Sequence, residues 1–215
     1  MNQLVNSLQT TKFVKETMNK IDRYNFCVNK QESYIDKASS LFSGQTISAP
    51  HMHAKALEYL EPVLKPGSHI LDIGSGSGYL TACFGEAVKV YHKDIYSRGK
   101  VIGIDVVPEL INYSNNVINN YHNYLHDYKR NFKIVLKDGK LGYPSKINKE
   151  IYDGIHIGAA SDTIPYYVLQ QLKKGGILVL PLKIGNNHVF TIVTKDLDGN
   201  LSIELKESVR YVPLV

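Results

Sequence analysis

Cysteine is scarce in this 215-residue chain: Cys27 and Cys83 are too few for a disulfide framework. Both are expected to be reduced packing residues, and Thr81-Ala82-Cys83-Phe84 reads as one buried helix face. Long hydrophobic runs are missing too. The longest purely apolar stretch, residues 177–182, falls far short of the roughly 20 residues that a spanning helix needs, so a transmembrane protein and a membrane partner are not expected. Met1-Asn2-Gln3-Leu4-Val5-Asn6-Ser7 has neither a basic n-region nor a continuous apolar h-region, which leaves no legible secretory signal and points to the cytoplasm. There is no internal repeat and no low-complexity tract. No sign of charge dominates either: 25 basic and 20 acidic residues are interspersed, and the formal charge of +5 permits a nucleic-acid partner without demanding one.

What is present is ordinary for a globular chain: 43% hydrophobic and 21% charged residues, 16 Gly and 8 Pro, on a length that one core can organise. A single domain over residues 1–215 is expected. Leu4, Leu8, Phe13, Val14, Met18 and Ile21 recur at three-to-four spacing, which predicts one or two amphipathic helices in a cap over residues 1–45. Residues 46–215 form the expected α/β core. Thr46 to His51 is turn-rich, and helical periodicity from Met52 to Leu64 is stopped by Lys65-Pro66-Gly67.

Strands are predicted at residues 69–73, 101–105, 132–136, 152–157 and 176–182. Helices are predicted at 79–87, from Pro108 to about residue 120, and at 163–172, with an antiparallel pair at 189–194 and 201–212 around Asp198-Gly199-Asn200. Strands alternating with helices predict a doubly wound, mostly parallel sheet of about seven strands with right-handed crossovers. Residues 89–100, rich in Tyr, Lys and Asp, are expected to be a surface insertion.

Asp72-Ile73-Gly74-Ser75-Gly76-Ser77-Gly78 lies between a strand and a helix, where glycines permit tight turning and close approach to a ligand. The dinucleotide pattern Gly-x-Gly-x-x-Gly fails, because Tyr79 stands where its third glycine belongs. Asp72 before the loop would repel a pyrophosphate but favours a ligand bearing ammonium and sulfonium charges, as S-adenosylmethionine does. Asp105 closes the second strand, placed for its two oxygens to accept both ribose hydroxyls of a nucleoside. Asp138-Gly139 after the third strand either meets the adenine amino group or closes a plain turn.

Taken together, Thr46-Ile47-Ser48-Ala49-Pro50-His51-Met52-His53-Ala54, the glycine loop, Gly103-Ile104-Asp105, His156-Ile157-Gly158-Ala159-Ala160 and Tyr211-Val212-Pro213-Leu214 resemble the protein-L-isoaspartate O-methyltransferases from about residue 40 onward. The glycine loop is common to most S-adenosylmethionine-dependent methyltransferases, whereas the Thr-Ile-Ser-Ala-Pro-His-Met-His stretch is far more specific. The resemblance implies a Rossmann-like class I methyltransferase that repairs damaged proteins by methylating the free α-carboxyl of isoaspartyl residues, releasing S-adenosylhomocysteine. Carried over, Ser48 is the active-site hydroxyl. Thr46, Ile47, His53, Asp72, Gly74, Ser75, Gly76, Gly78, Asp105, Asp138 and Gly139 fall to the cofactor, and Ser48, Ala49, Gly158, Ala159, Ala160 and Val212 line the substrate site. The family usually has only a few residues where this chain has 89–100, and commonly a threonine where it has Val215.

Methyl transfer from a sulfonium is an in-line displacement governed by alignment. A carboxylate nucleophile is already ionised at neutral pH, so no strong base is required, and Ser48 is expected to donate a hydrogen bond to one carboxylate oxygen. No metal is expected. His51 and His53 are two apart, and Asn123 stands where a zincin pairing of His122 and His126 needs glutamate. His156 reads as a packed core histidine. Two other readings stay open: a nucleic-acid methyltransferase, although Gly158-Ala159-Ala160 replaces the Asn/Asp-Pro-Pro-aromatic signature, and a non-catalytic S-adenosylmethionine-binding module. Isoaspartyl proteins as substrate, no nucleic acid and a monomeric state complete the expectation.

Overall fold

The computed structural model describes residues 1–89, 99–124 and 131–214. Most of the expected insertion at 89–100, the side chains of His122 and His126, and Val215 lie outside the described residues. The N-terminal layer begins with α1 (Asn2–Ser7) and α2 (Lys12–Lys20), and Thr11 caps α2 by accepting the Val14 amide. Two short 3₁₀ turns follow at Arg23–Phe26 and Lys30–Glu32. Strand β1 (Ser39–Ser40) then pairs antiparallel with β2 (Thr46–Ile47), a two-residue ribbon that the turn-rich sequence conceals. Ribbon β1–β2 straddles the expected cap boundary at residue 45. Helix α3 (Pro50–Leu60) starts with proline at its first turn, where a missing N–H is harmless, and continues as a 3₁₀ turn, Glu61–Val63.

The core alternates as expected: β3 (His69–Ile73), α4 (Tyr79–Ala87), β4 (Lys100–Asp105), α5 (Pro108–Tyr124), β5 (Phe132–Leu136), β6 (Tyr152–Ile157), α6 (Tyr166–Gln170), β7 (Leu172–Ile184), β8 (Asn187–Lys195) and β9 (Leu201–Val209). Strand order is β5-β4-β3-β6-β7-β8-β9; the first five strands run parallel and the last two pairings are antiparallel. Consecutive residues Ile70 and Leu71 belong to separate apolar clusters, the first shared with α3, α4 and α5 and the second with α6. The sheet is therefore covered on both faces, as parallel strands require.

Three boundaries differ from the sequence reading, each for a local reason. Helix α6 starts at Tyr166 instead of residue 163, because the residue before a proline is pushed out of the α region and Pro165 occupies the cap. It ends at Gln170 because Leu172 already pairs with Tyr152, so β7 begins four residues earlier than residue 176 and carries a register shift opposite Tyr152/Gly154. Strand β9 stops at Val209, since the tail leaves β8 and bonds instead to Ala160: Ala160 N donates to Val212 O at 2.7 Å and Leu214 N donates to Ala160 O at 2.7 Å.

The chain reverses its winding between β3 and β6, which are neighbours in the sheet. In open α/β sheets such a switch point leaves a crevice beyond the carboxyl ends of the strands. Here the Gly74 loop leaves β3 and the Gly158 loop leaves β6, joined by Gly158 N donating to Ile73 O at 2.7 Å.

Candidate active site

The crevice has two lobes, a larger and a smaller, which share Thr46, Gly74, Gly76 and Gly158 as walls. The larger lobe is mostly apolar, lined by Ile104, Val106, Val107, Leu110 and Gly139, with one carboxylate, Asp105. Asp105 is held from below: its Oδ2 accepts the Gly76 amide at 2.9 Å and its Oδ1 accepts the Val107 amide at 3.0 Å. Each carboxylate oxygen has a second acceptor direction, so the arrangement can still accept a pair of hydroxyls. Gly139 is pressed against the sheet, where a Cβ would stand 2.1 Å from Ile73 Cγ2.

The smaller lobe is polar and deep. Asp72 lies in its floor, 1% exposed, with both oxygens engaged: Oδ2 accepts from Thr81 Oγ1 at 2.5 Å and Oδ1 bonds to His156 Nδ1 at 2.8 Å. His156 is 4% exposed and lines the lobe, and its other nitrogen, Nε2, is buried without a protein partner. His53, from α3, lines the same lobe; its Nδ1 lies 3.2 Å from Arg23 Nη1. Burial, reinforced by the Arg23 charge, holds the His53 pKa well below the usual imidazole range. Arg23 itself is fully buried, with its guanidinium 5.6 Å from the Tyr79 ring centroid and its Nε and Nη2 lacking hydrogen-bond partners.

Ser48 follows β2 and half-buries its side chain on the wall of the same lobe. It sits beside the hydroxyl of Tyr211, whose pKa burial raises far above the usual phenol range and the Ser48 hydrogen bond partly restores. Tyr211 stacks at 6.3 Å on Phe190 of β8, which anchors the tail. Val212 and Ala159 face the larger lobe, whereas Ala49 and Ala160 are buried behind the walls.

The structure therefore gathers Thr46, Ile47, Ser48, His53, Asp72, Gly74, Ser75, Gly76, Asp105, Gly139, Gly158, Ala159 and Val212 around one crevice. Gly78 is set apart: it caps α4 at φ +84°, and a Cβ there would meet Ile134 Cδ1 at 2.6 Å, so its glycine is explained by conformation and packing. Asp138 is exposed, and its Oδ1 caps the 3₁₀ turn Gly139–Leu141 by accepting the Lys140 amide. Arg23 and Tyr211 were not legible as site residues, the first because nothing in its local pattern points 30 residues ahead to His53. No cluster of three or more His, Cys, Asp or Glu suited to a metal occurs among the described residues. No helix among them is long and apolar enough to cross a membrane.

A doubly wound sheet with an antiparallel edge, a glycine loop at its switch point and an acid ending the second core strand define a Rossmann-like methyltransferase. The sequence profile of the protein-L-isoaspartate(D-aspartate) O-methyltransferases matches residues 1–215. Protein-L-isoaspartate O-methyltransferase 1 of Arabidopsis thaliana is 39% identical over 208 residues, covering 95% of this chain and 84% of its own. The protein-L-isoaspartate O-methyltransferase of Caenorhabditis elegans is 36% identical over 93% of this chain and 83% of its own. A solved β-aspartate methyltransferase from Plasmodium falciparum, in complex with S-adenosyl-L-homocysteine, superposes with a TM-score of 0.87 at 31% identity, covering 100% of this chain and 97% of the other. This chain belongs to the protein-L-isoaspartate(D-aspartate) O-methyltransferase family.

Proposed function

We propose that this chain transfers the methyl group of S-adenosylmethionine to the free α-carboxyl of L-isoaspartyl residues in damaged proteins, releasing S-adenosylhomocysteine. The observation that carries the reading is the position of Ser48: its hydroxyl shares one lobe with the glycine loop and the two buried histidines, and no lysine among the described residues lines that lobe. Such a site can orient a nucleophile, and the reaction proposed asks no more of it. An isoaspartyl carboxylate needs none, being ionised near neutral pH, and alignment supplies the rate enhancement.

In this reading the cofactor's nucleoside occupies the larger lobe, with Asp105 accepting the ribose hydroxyls, and the amino-acid end lies in the smaller one. The residues fit that group: the larger lobe pairs apolar walls with one carboxylate, and the smaller holds buried polar atoms awaiting partners. Bound there, S-adenosylmethionine supplies the electrophilic methyl. Ser48 donates to one oxygen of the substrate carboxylate and leaves the other on line with the methyl. Gly158 and Ala159 leave room for the substrate backbone, and Val212 closes the site through the tail's bonds to Ala160. Asp138 stands near the adenine end and Gly78 supports the loop through α4. The chain acts as a cytoplasmic monomer with no nucleic-acid or membrane partner. The test is transfer of a radiolabelled methyl group to an isoaspartyl peptide, its aspartyl isomer, DNA and RNA. Labelling of the first alone is expected; preferred labelling of nucleic acid selects the other methyltransferase class, and binding without any transfer selects a recognition module.

A further inference from the structure

Ser48 carries one hydroxyl proton, and two neighbours compete for it. One is the substrate carboxylate, which only accepts. The other is the hydroxyl of Tyr211, to which Ser48 is hydrogen-bonded and which can either donate or accept. If the Ser48 proton points at the phenol, none is left for the carboxylate. The sense of the bond to Tyr211 therefore decides whether Ser48 is aimed into the smaller lobe or away from it.

The phenol is fixed from several sides. Its ring stacks on Phe190 at 6.3 Å with 26° between the planes, and Phe190 in turn meets the Tyr59 ring of α3 at 5.5 Å. Tyr59 is anchored at its far end, where its hydroxyl donates to Glu207 Oε2 at 2.9 Å. The residue after Tyr211 is tied across the site, since Ala160 N donates to Val212 O at 2.7 Å. Ser48 lines the smaller lobe and Tyr211 lines neither, so Tyr211 reaches a bound substrate through Ser48.

We propose that Tyr211 is a positioning residue for methyl transfer: its O–H donates to Ser48 Oγ, which turns the proton of Ser48 into the lobe toward the substrate carboxylate. The proposal rests on the isoaspartyl reading above. A carboxylate cannot donate, so with substrate in place this is the one arrangement in which both hydroxyl protons find an acceptor along the row. Tyr211 keeps its proton to give. Burial raises its pKa far above the usual phenol range, and the charges of Asp72 and Glu207 act in the same direction, against the Ser48 bond. Two hydroxyls in a row ending on a carboxylate also polarise in one sense, which strengthens the last bond. Packing on Phe190 needs only the ring, and a phenylalanine would satisfy it; the hydroxyl has its use at Ser48.

Tyr211→Phe removes the hydroxyl and keeps the stack. Turnover of an isoaspartyl peptide should fall about 3- to 10-fold, the scale of one neutral hydrogen bond, with S-adenosylhomocysteine affinity unchanged by calorimetry. In a Ser48→Ala background the same change should have no effect, because no hydroxyl is left to aim. A purely structural hydroxyl would lower turnover equally in both backgrounds, and that result overturns the proposal, as does full turnover by Tyr211→Phe alone. A Tyr211→Phe chain that unfolds at the assay temperature also overturns it, since the hydroxyl would then serve the fold. Proton NMR of the wild-type complex with S-adenosylhomocysteine and the peptide gives an independent reading. The Tyr211 hydroxyl proton should show a nuclear Overhauser contact to the Ser48 β-protons and should shift in Ser48→Ala; a resonance indifferent to Ser48 overturns the donor assignment. If the wild-type protein labels no isoaspartyl peptide, the isoaspartyl reading falls and the role of Tyr211 toward the carboxylate falls with it. Labelling without coupling between the two positions removes Tyr211 alone.

Discussion

Asp72 and His156 stand opposite each other on adjacent parallel strands, and the 2.8 Å bond between them joins β3 to β6 beneath the crevice. Register makes this possible: Asp72 is the penultimate residue of its strand and His156 of its own, so both side chains reach the same face of the sheet at its carboxyl edge. The third member, Thr81, comes from the first turn of α4 and bonds the remaining oxygen of Asp72. A buried carboxylate is tolerated here because its oxygens are bonded.

Thr81→Val keeps the shape but leaves Asp72 Oδ2 without its donor. The unsatisfied oxygen should cost about 1–3 kcal/mol of stability, read as a lower denaturant midpoint with an unchanged slope. An unaltered midpoint would contradict a stabilising role for the Thr81–Asp72 bond.

Ser48→Ala should lower turnover on the order of 10²-fold or less, the scale of one oriented donor, with cofactor affinity nearly unchanged. The rate of the wild-type enzyme should be nearly flat above the titration of the substrate carboxyl, because an ionised nucleophile needs no base. A methylated or acylated Ser48 trapped by mass spectrometry, or a steep rate rise through neutral pH, contradicts this role.

Asp105→Ala removes the one carboxylate in the wall of the larger lobe. Calorimetry should show S-adenosylhomocysteine binding weakened roughly 10-fold or more, since hydrogen bonds to charged groups are worth about 1.5–3 kcal/mol, while NAD gives no heat with either protein. Tight NAD binding to the wild type would sink the assignment of the lobe.

His53 makes stability depend on pH with a defined sign. Burial lowers its folded pKa below the unfolded value near 6.5, so the unfolded chain binds the extra proton between the two values. Its contribution is complete above pH 6.5 and is lost as pH falls toward the folded pKa, with a slope approaching about 1.4 kcal/mol per pH unit. The charge of Arg23, and after it those of His156 and His51, oppose protonation of the ring. Unfolding measured from pH 7 to 5 should therefore fall more steeply for the wild type than for His53→Gln; parallel curves contradict the assignment.

Much of this architecture was legible because local signals agreed with the global fold. Residues 69–73, 79–87, 132–136 and 152–157 were delimited by apolar alternation and glycine, and these elements carry Asp72, the glycine loop and His156. What the chain hides in sequence is contact over distance. Asp72 looked like a free carboxylate because strand register with His156 is a property of the assembled sheet. Arg23 lay in a segment read as a cap, yet its guanidinium reaches the active-site wall. The strand expected to run to residue 212 stops at Val209, and the Ala160 backbone bonds are what carry the tail toward the site where the family resemblance puts Val212. Boundaries failed where a proline or a register shift overrode periodicity, as at Pro165 and Tyr152/Gly154.

The central claim is chemical selectivity for a misplaced carboxyl, and the most direct measurement is competition. An isoaspartyl peptide and its aspartyl isomer, equimolar and separable by chromatography, are incubated with the protein and labelled S-adenosylmethionine, and the label on each is counted. Methyl on the isoaspartyl isomer alone, base-labile as an ester and absent from DNA and RNA added to the same tube, is the predicted result. Equal labelling of both isomers, or label in the nucleic acid, would contradict the account.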